Sequence, residues 1–252
     1  MLRYRRIFDI CLFDPLDEDE VRSEDLSSTF WLDVMSYKSI LEDKLQVEKQ
    51  GKICKIRGQA YITKVTPSLA YRMIDAAKEM LHGYISDVYI TVDHRKGDVG
   101  GKDFSSPGYG LFLTAETTEG VIYHGEAISK PKGEAGDPSV AEDVGTHAAV
   151  ALLEEIYKGG CLDSSSQILA CSFMALGQKD VSKFLFGPLT VYSVHALRHL
   201  KCFFEIQFKL KEWNREIAES DVGENVLRLG SDEKALVTGM GIGFSNLNKT
   251  VL

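Results

Sequence analysis

The clearest hydrophobic pattern lies in the middle of the chain. From Lys55 to Val65 apolar and polar positions alternate around Ile56, Ala60, Ile62 and Val65, the period of a half-buried strand. Thr66 then stands as an N-cap, with Pro67 at the first helical position, where an N–H would be unbonded anyway. Leu69, Met73, Ile74, Ala77 and Leu81 recur at helical spacing as far as Gly83. Asp87 to Asp93 (DVYITVD) has a strand pattern, and the glycine-rich polar stretch from Gly97 to Gly110 reads as a loop. Leu111 to Glu116 and Gly120 to Ile128 form a hairpin about Thr117-Thr118-Glu119-Gly120. A long helix begins at Pro138, runs through Ala148, Ala149, Leu152, Leu153 and Ile156, and stops at Gly159. The pattern predicts a compact α/β unit of four strands and two helices.

Beyond Gly160 the pattern changes. Asp163 to Leu176 reads as a helix, with Ser164 and Gln167 at capping-box spacing and a stop at Gly177. Phe184 to Leu189 is a short strand, Tyr192 to Lys201 a helix and Phe203 to Leu210 a strand. A charged loop covers Lys211 to Glu224, and a last strand, Ala235 to Ile242, alternates small and apolar residues. The beginning of the chain differs from both regions. Asp14, Asp17, Glu18, Asp19, Glu20, Glu24 and Asp25 make an acidic block, the composition of a solvated segment, followed by the apolar patch Phe30, Trp31, Leu32, Val34 and Met35.

Composition narrows the class. The 252 residues are 44% hydrophobic and 26% charged, values of an ordinary globular protein. No apolar run approaches the ~20 residues of a membrane-spanning helix. Asp9 and Asp14 interrupt the basic-then-apolar start MLRYRRIFDICLF, which departs from the pattern of a secretory signal. The five cysteines are odd in number and widely spaced, so they read as reduced thiols without zinc-ligand spacing. The net charge of −8 restricts any contact with RNA phosphates to local patches and suits a role as a protein partner.

Several motifs invite a chemical reading and most fail it. Lys96 to Asp103 (KGDVGGKD) lacks the first glycine and the Ser or Thr of a phosphate loop. Gly239, Gly241 and Gly243 are spaced for close strand packing, and no dinucleotide-binding unit follows them. Ser164, Ser165 and Ser166 have no nucleophile elbow around them and are placed to cap a helix. His195 and His199 share a helix face, as some metal sites require, but no third ligand accompanies them, so no metal and no cofactor is expected. Arg198, His199 and Lys201 remain as weak catalytic candidates. Arg198 and Lys201 stand three apart on one helix and can grip a phosphate, and His199 can act as a general base.

Four blocks together carry a resemblance. They are Lys55-Ile56-Arg57-Gly58, Ser106-Pro107-Gly108-Tyr109-Gly110-Leu111, the run Leu152 to Gln178 (LLEEIYKGGCLDSSSQILACSFMALGQ) and Gly241-Ile242-Gly243-Phe244-Ser245-Asn246-Leu247. In this order they resemble the RNA 3'-terminal phosphate cyclase-like proteins, the nucleolar branch of the RNA 3'-terminal phosphate cyclase family that is not itself cyclase. The resemblance runs from about Lys44 to Leu252 and does not include the long N-terminal half of full members. An alternative start or a faulty gene model would account for the divergent beginning.

The resemblance implies an α/β fold made of the small inserted four-stranded domain and the C-terminal part of the large domain. The expected division is a divergent acidic segment at 1–43, a large-domain remnant at 44–54, the inserted domain at 55–159 and the large-domain part at 160–252. It implies ribosome biogenesis: pre-rRNA processing for the small subunit, in the nucleolus, without cyclase activity. The implied partners are a large nucleolar GTPase, proteins of the small-subunit processome and pre-rRNA, with no membrane. The adenylylated histidine of true cyclases falls at or near Tyr192, and a phenol with an ordinary pKa near ~10 is a poor nucleophile at neutral pH. An RNA-cleaving role has been proposed in the family for the segment of Arg198 to Lys201, with an acidic residue where this chain has His199. The alternatives to a docking role are thus an endoribonuclease or a non-functional truncated product.

Overall fold

The structure is a computed structural model that describes residues 46–95, 107–130, 140–213, 231 and 233–243. These residues form an α/β protein with two four-stranded sheets. The chain divides into two compact units, one from Gly51 to Lys158 and one containing the described residues on either side of it.

The Gly51–Lys158 unit consists of β2 (Ile53–Thr63), α1 (Ser68–Leu81), β3 (Val88–Arg95), β4 (Gly108–Thr117), β5 (Ile122–Ile128) and α2 (Ala141–Lys158). The strand order is β3-β2-β4-β5, with β2 parallel to β3 and the other two pairings antiparallel. Alternation in the strands separates two faces. Ile56, Ala60, Ile62, Ile90, Leu111, Leu113, Ala115 and Tyr123 are buried on one of them. The apolar stripes of both helices are buried too: Ala70, Met73, Ile74, Ala77 and Leu81 on α1, and Val144, Ala148, Ala149 and Leu152 on α2. Small residues set how closely these layers approach. A Cβ on Gly145 of α2 would run into the Met73 carbonyl of α1, and one on Gly125 of β5 would strike the backbone of Leu152.

Each sequence-predicted element of this unit is present, with shifted ends. The expected Thr66 cap is not formed: the helix starts at Ser68 with Pro67 in the cap position at φ −58°, no side chain caps it, and the Thr66 carbonyl accepts from the Leu69 N–H. The hairpin closes through Gly120 at φ +81°, and the Val121 N–H donates to Thr117 Oγ1 at 3.0 Å. Pro138 and the 96–106 stretch, which includes the rejected phosphate-loop motif, lie outside the described residues, as does the acidic segment at the start.

The second unit contains β1 (Gln46–Val47), α3 (Gln167–Leu176), β6 (Val181–Phe186), α4 (Val191–Phe204), β7 (Lys209–Glu212) and β8 (Ala235–Met240). Its sheet has the order β1-β6-β8-β7, in which only the β1–β6 pairing is parallel. Phe184, Leu185, Phe186 and Val237 are buried in the sheet, with Ala170, Cys171, Met174 and Ala175 buried on α3.

Three expectations for this unit are corrected. The strand expected at Phe203–Leu210 begins only at Lys209. Ile206 is buried and Phe208 packs beside Gly239, which mimics strand alternation, yet Phe203 and Phe204 finish α4 and Glu205 ends it in the left-handed region at φ 54°. Lys211 and Glu212, expected in a charged loop, belong to β7, and the rest of that expected loop, from 214 to 224, lies outside the described residues. The capping box is not formed either. Helix α3 starts at Gln167, and Asp163 Oδ1 accepts from the Ser166 N–H at 2.9 Å, so the aspartate closes the turn instead of Ser164.

The chain leaves the second unit after Gln50 and returns to it at Gly159. Gln50 Oε1 accepts from the Gly160 N–H at 3.3 Å and from Lys234 Nζ at 3.0 Å. Lys234, although a lysine, is 3% exposed and sits over the Trp213 ring at 4.8 Å. Gly159 and Gly160 have φ of +68° and +91°, a conformation that residues with a Cβ rarely adopt.

Candidate functional site

Helix α4 carries every candidate side chain that the sequence left open. Its start is well fixed. Thr190 Oγ1 accepts from the Ser193 N–H at 3.0 Å, and Ser193, the buried residue of this helix, donates its hydroxyl to Gln167 Oε1 at 2.8 Å. Gln167 is itself 1% exposed and donates through Nε2 to the Pro188 carbonyl at 3.1 Å. A buried amide satisfied on both its atoms locks α4 onto α3, because breaking it would strand polar groups away from water. Sequence analysis placed Gln167 in a capping box and missed this role. The available signal was a polar side chain on the apolar stripe of α3.

The outward side of α4 is open. Tyr192, His195, His199 and Phe203 recur at helical spacing and are all exposed, so they form one outward stripe, two rings at its ends and two imidazoles between. Arg198 and Lys201 are also exposed and follow on one side of it, Arg198 next to His195 and Lys201 further round the helix. Among the described residues no hydrogen bond or ion pair engages the side chains of Arg198, His199 or Lys201. Nor does any group of three His, Cys, Asp or Glu side chains there have the arrangement of a metal site. The arrangement offers two cations and a ring-bearing surface to an incoming partner. It holds no acid beside His199 that would orient the imidazole for proton transfer among the described residues.

The remaining motifs have structural roles. Gly241 and Gly243 donate their N–H groups to the carbonyls of Asp180 and Gly177, and a Cβ on Gly241 would strike the backbone carbonyls of Gly177 and Gln178. Ser165 donates to Asp163 Oδ1 at 3.2 Å, within the turn before α3. Burial pushes the Cys161 thiol up to about 12, against the opposing pull of Lys234, and burial does the same to Cys171. Neither thiol ionises near neutral pH, so neither is a nucleophile.

Comparison with known proteins follows the same geometry. A family model described as RNA 3'-terminal phosphate cyclase (RTC), insert domain, matches residues 48–157, the span of the first unit. A Caenorhabditis elegans protein named probable RNA 3'-terminal phosphate cyclase-like protein is 66% identical over 205 residues, 81% of this chain and 52% of that protein. The human RNA 3'-terminal phosphate cyclase-like protein is 47% identical over 207 residues, covering 82% of this chain and 52% of its own length. The chain belongs to the RNA 3'-terminal phosphate cyclase-like family. A further relative, from Schizosaccharomyces pombe, is named rRNA processing protein rcl1 and is 38% identical over 170 residues, 67% of this chain and 44% of that protein. The chain thus spans about half the length of the curated relatives it matches. In this cyclase-like family setting, the expected α/β class and the four-stranded, two-helix unit are what the structure contains.

Proposed function

We propose that the chain acts in small-subunit pre-rRNA processing as a docking component of the nucleolar processome, with α4 as the docking surface, and without cyclase activity. The name of the fission yeast relative supports the processing role. The observation that carries the docking role is the geometry of α4. The helix is clamped from within by Gln167, while Tyr192, His195, Arg198, His199, Lys201 and Phe203 are all exposed. A rigid helix that presents aromatic rings beside an arginine has the composition of an interaction hot spot. The partner we assign to it is the large nucleolar GTPase, meeting Arg198 and Lys201 through acidic residues.

The test is the Arg198→Ala/Lys201→Ala double variant, measured for binding to that GTPase and to pre-rRNA fragments. Loss of GTPase binding with unchanged RNA affinity is the expected result. A loss confined to RNA, with the salt slope reduced by about one unit per lost phosphate contact, would move the site to RNA. Cleavage of precursor RNA by the purified parent, abolished in the double variant, would establish the endoribonuclease reading instead. Unchanged binding to both partners would remove α4 as a site. Incubation with ATP and magnesium should leave no AMP adduct on Tyr192 or His195, which mass spectrometry would detect.

A further inference from the structure

Both helices of the Gly51–Lys158 unit pack on one face of its sheet, and the other face has a composition of its own. Strand alternation and the register place Tyr89 of β3, Tyr61 of β2, Phe112 of β4 and His124 of β5 there, one ring from each strand. Between the rings stand Gln59, Thr91 and Thr114. We propose that this open sheet face is a stacking platform for single-stranded RNA. The proposal rests on the pre-rRNA reading above and adds to it a second surface, distinct from α4.

The rings are arranged for stacking. Gly110 lies directly opposite Tyr61, and any Cβ at that position would strike the phenol ring. The glycine therefore leaves room for the Tyr61 ring to lie over β4. Next to it the Phe112 and His124 rings stack at 5.9 Å between centroids and 27° between planes. Tyr89 is 62% exposed at the edge strand. Neighbouring strands are about 4.8 Å apart, so rings on successive strands can receive successive splayed bases.

Polar groups decide between a nucleic acid and a protein. The hydroxyls of Thr91 and Thr114 donate to the β2 carbonyls of Gly58 and Arg57, both at 3.2 Å. Gln59, exposed between Phe112 and Thr91, is the amide left to read a base edge. Charge is graded along the face. Lys55 and Arg57 stand at one end, Glu126 shares the row of Phe112 and Gln59, and Asp93 stands beside Tyr61 toward the other end. Both cations are in ion pairs, Lys55 with Glu116 in a half-buried pair at 2.9 Å and Arg57 with Asp87 in an exposed one at 2.8 Å, and a phosphate can replace the exposed carboxylate. Affinity that comes from stacking also reconciles RNA binding with a net charge of −8.

The test uses the full chain and a short fluorescently labelled oligoadenylate, read by anisotropy. Tyr61→Leu, Phe112→Leu and Tyr89→Ala should each weaken binding by roughly fivefold to a hundredfold, the usual loss for one stacking ring. Salt dependence should be shallow, with a slope of about two phosphates or fewer. The leucines preserve apolar volume, and Tyr89 is exposed enough that its removal leaves the fold intact even if Phe112→Leu does not. Parent-like affinity in the folded variants overturns the proposal. So does an effect of these variants on self-association or on protein capture with RNA affinity unchanged. The Arg198→Ala/Lys201→Ala variant should bind the oligonucleotide as the parent does, which separates this face from α4. Ring-dependent binding in a chain whose depletion leaves pre-rRNA processing normal would sustain the site and remove the reading it rests on. A processing defect without ring-dependent binding would remove only the site.

Discussion

The two units solve the same packing problem to different degrees. In the Gly51–Lys158 unit, strands of 11, 8, 10 and 7 residues support two helices, each with five or more buried residues. In the other unit the strands have 2, 6, 4 and 6 residues, and α4 buries Ser193 while Val191, Tyr192 and Phe203 are 75%, 68% and 79% exposed. The first unit covers the apolar stripes of both its helices with its own residues; the second leaves Val191, Tyr192 and Phe203 of α4 exposed, apolar surface of a kind that partners usually cover. The contrast places the more complete core in one unit and an uncovered helix face in the other.

The strongest way to break this comparison is to separate the units. Residues 51–158 expressed alone should fold cooperatively, with a single thermal transition, whereas 159–252 should aggregate. A soluble, monomeric 159–252 fragment with a sharp transition would show that its exposed helix face is no liability.

Single substitutions sharpen it. Gly145→Ala should destabilise the first unit by about 1–3 kcal/mol, because the new methyl meets the Met73 carbonyl and backbone has to move. Gly120→Ala tests conformation alone: nothing lies within 4 Å of its Cβ position, but φ is +81°, so the expected loss is about 1–2 kcal/mol. Denaturant midpoints of the full chain would rank the two. In the second unit, Gln167→Leu should cost about 1–3 kcal/mol, because the Pro188 carbonyl loses its donor and the Ser193 hydroxyl keeps only Thr190 Oγ1, 2.8 Å away. The readout there is alkylation. Buried Cys171, with its thiol pushed up to about 12, should react with iodoacetamide at neutral pH only as fast as the unit opens, and faster in the variant.

The smallest effect is electrostatic. Arg72 Nε and Nη2 donate to the two carboxylate oxygens of Glu142 at 2.6 and 2.8 Å and hold its pKa below the ordinary value. Asp87 is lowered in the same way by Arg57. A carboxylate with a lowered folded-state pKa stabilises above its unfolded pKa and loses that contribution as pH falls through the folded one. Stability should therefore change little from neutral pH down to the ordinary carboxylate range and decline below it. Glu142→Gln should flatten the decline slightly, and an identical acid limb in parent and variant would deny the pair any role.

What the sequence revealed follows the same division. Long regular alternation in β2, β4 and β5 made the first unit legible to within a few residues, because a two-sided sheet writes its faces directly into the chain. Helix α4 was legible from Tyr192 to Lys201, with His195 and His199 on one face, but Phe203 was assigned to a strand. Asp163, Gln167 and the Phe203–Leu210 segment were misread for one reason. Each has a local pattern with two physical solutions, and tertiary contacts chose: the buried Ser193 hydroxyl for Gln167, and the space beside Gly239 for Phe208. The open-face rings were invisible as a group, since Tyr61, Tyr89, Phe112 and His124 meet only once the register of four strands is known.

Gln50 carries one more consequence. A single amide oxygen receives both the Gly160 N–H and Lys234 Nζ, so the places where the chain departs for the inserted unit and comes back lie side by side. In evolutionary terms that makes the crossing a port. A domain whose ends are close together can be added, exchanged or lost there without rethreading the sheet around it. The same geometry offers the protein engineer a graft site, where a short glycine turn replaces residues 51–158 and leaves the clasp of Gln50 and Lys234 in place.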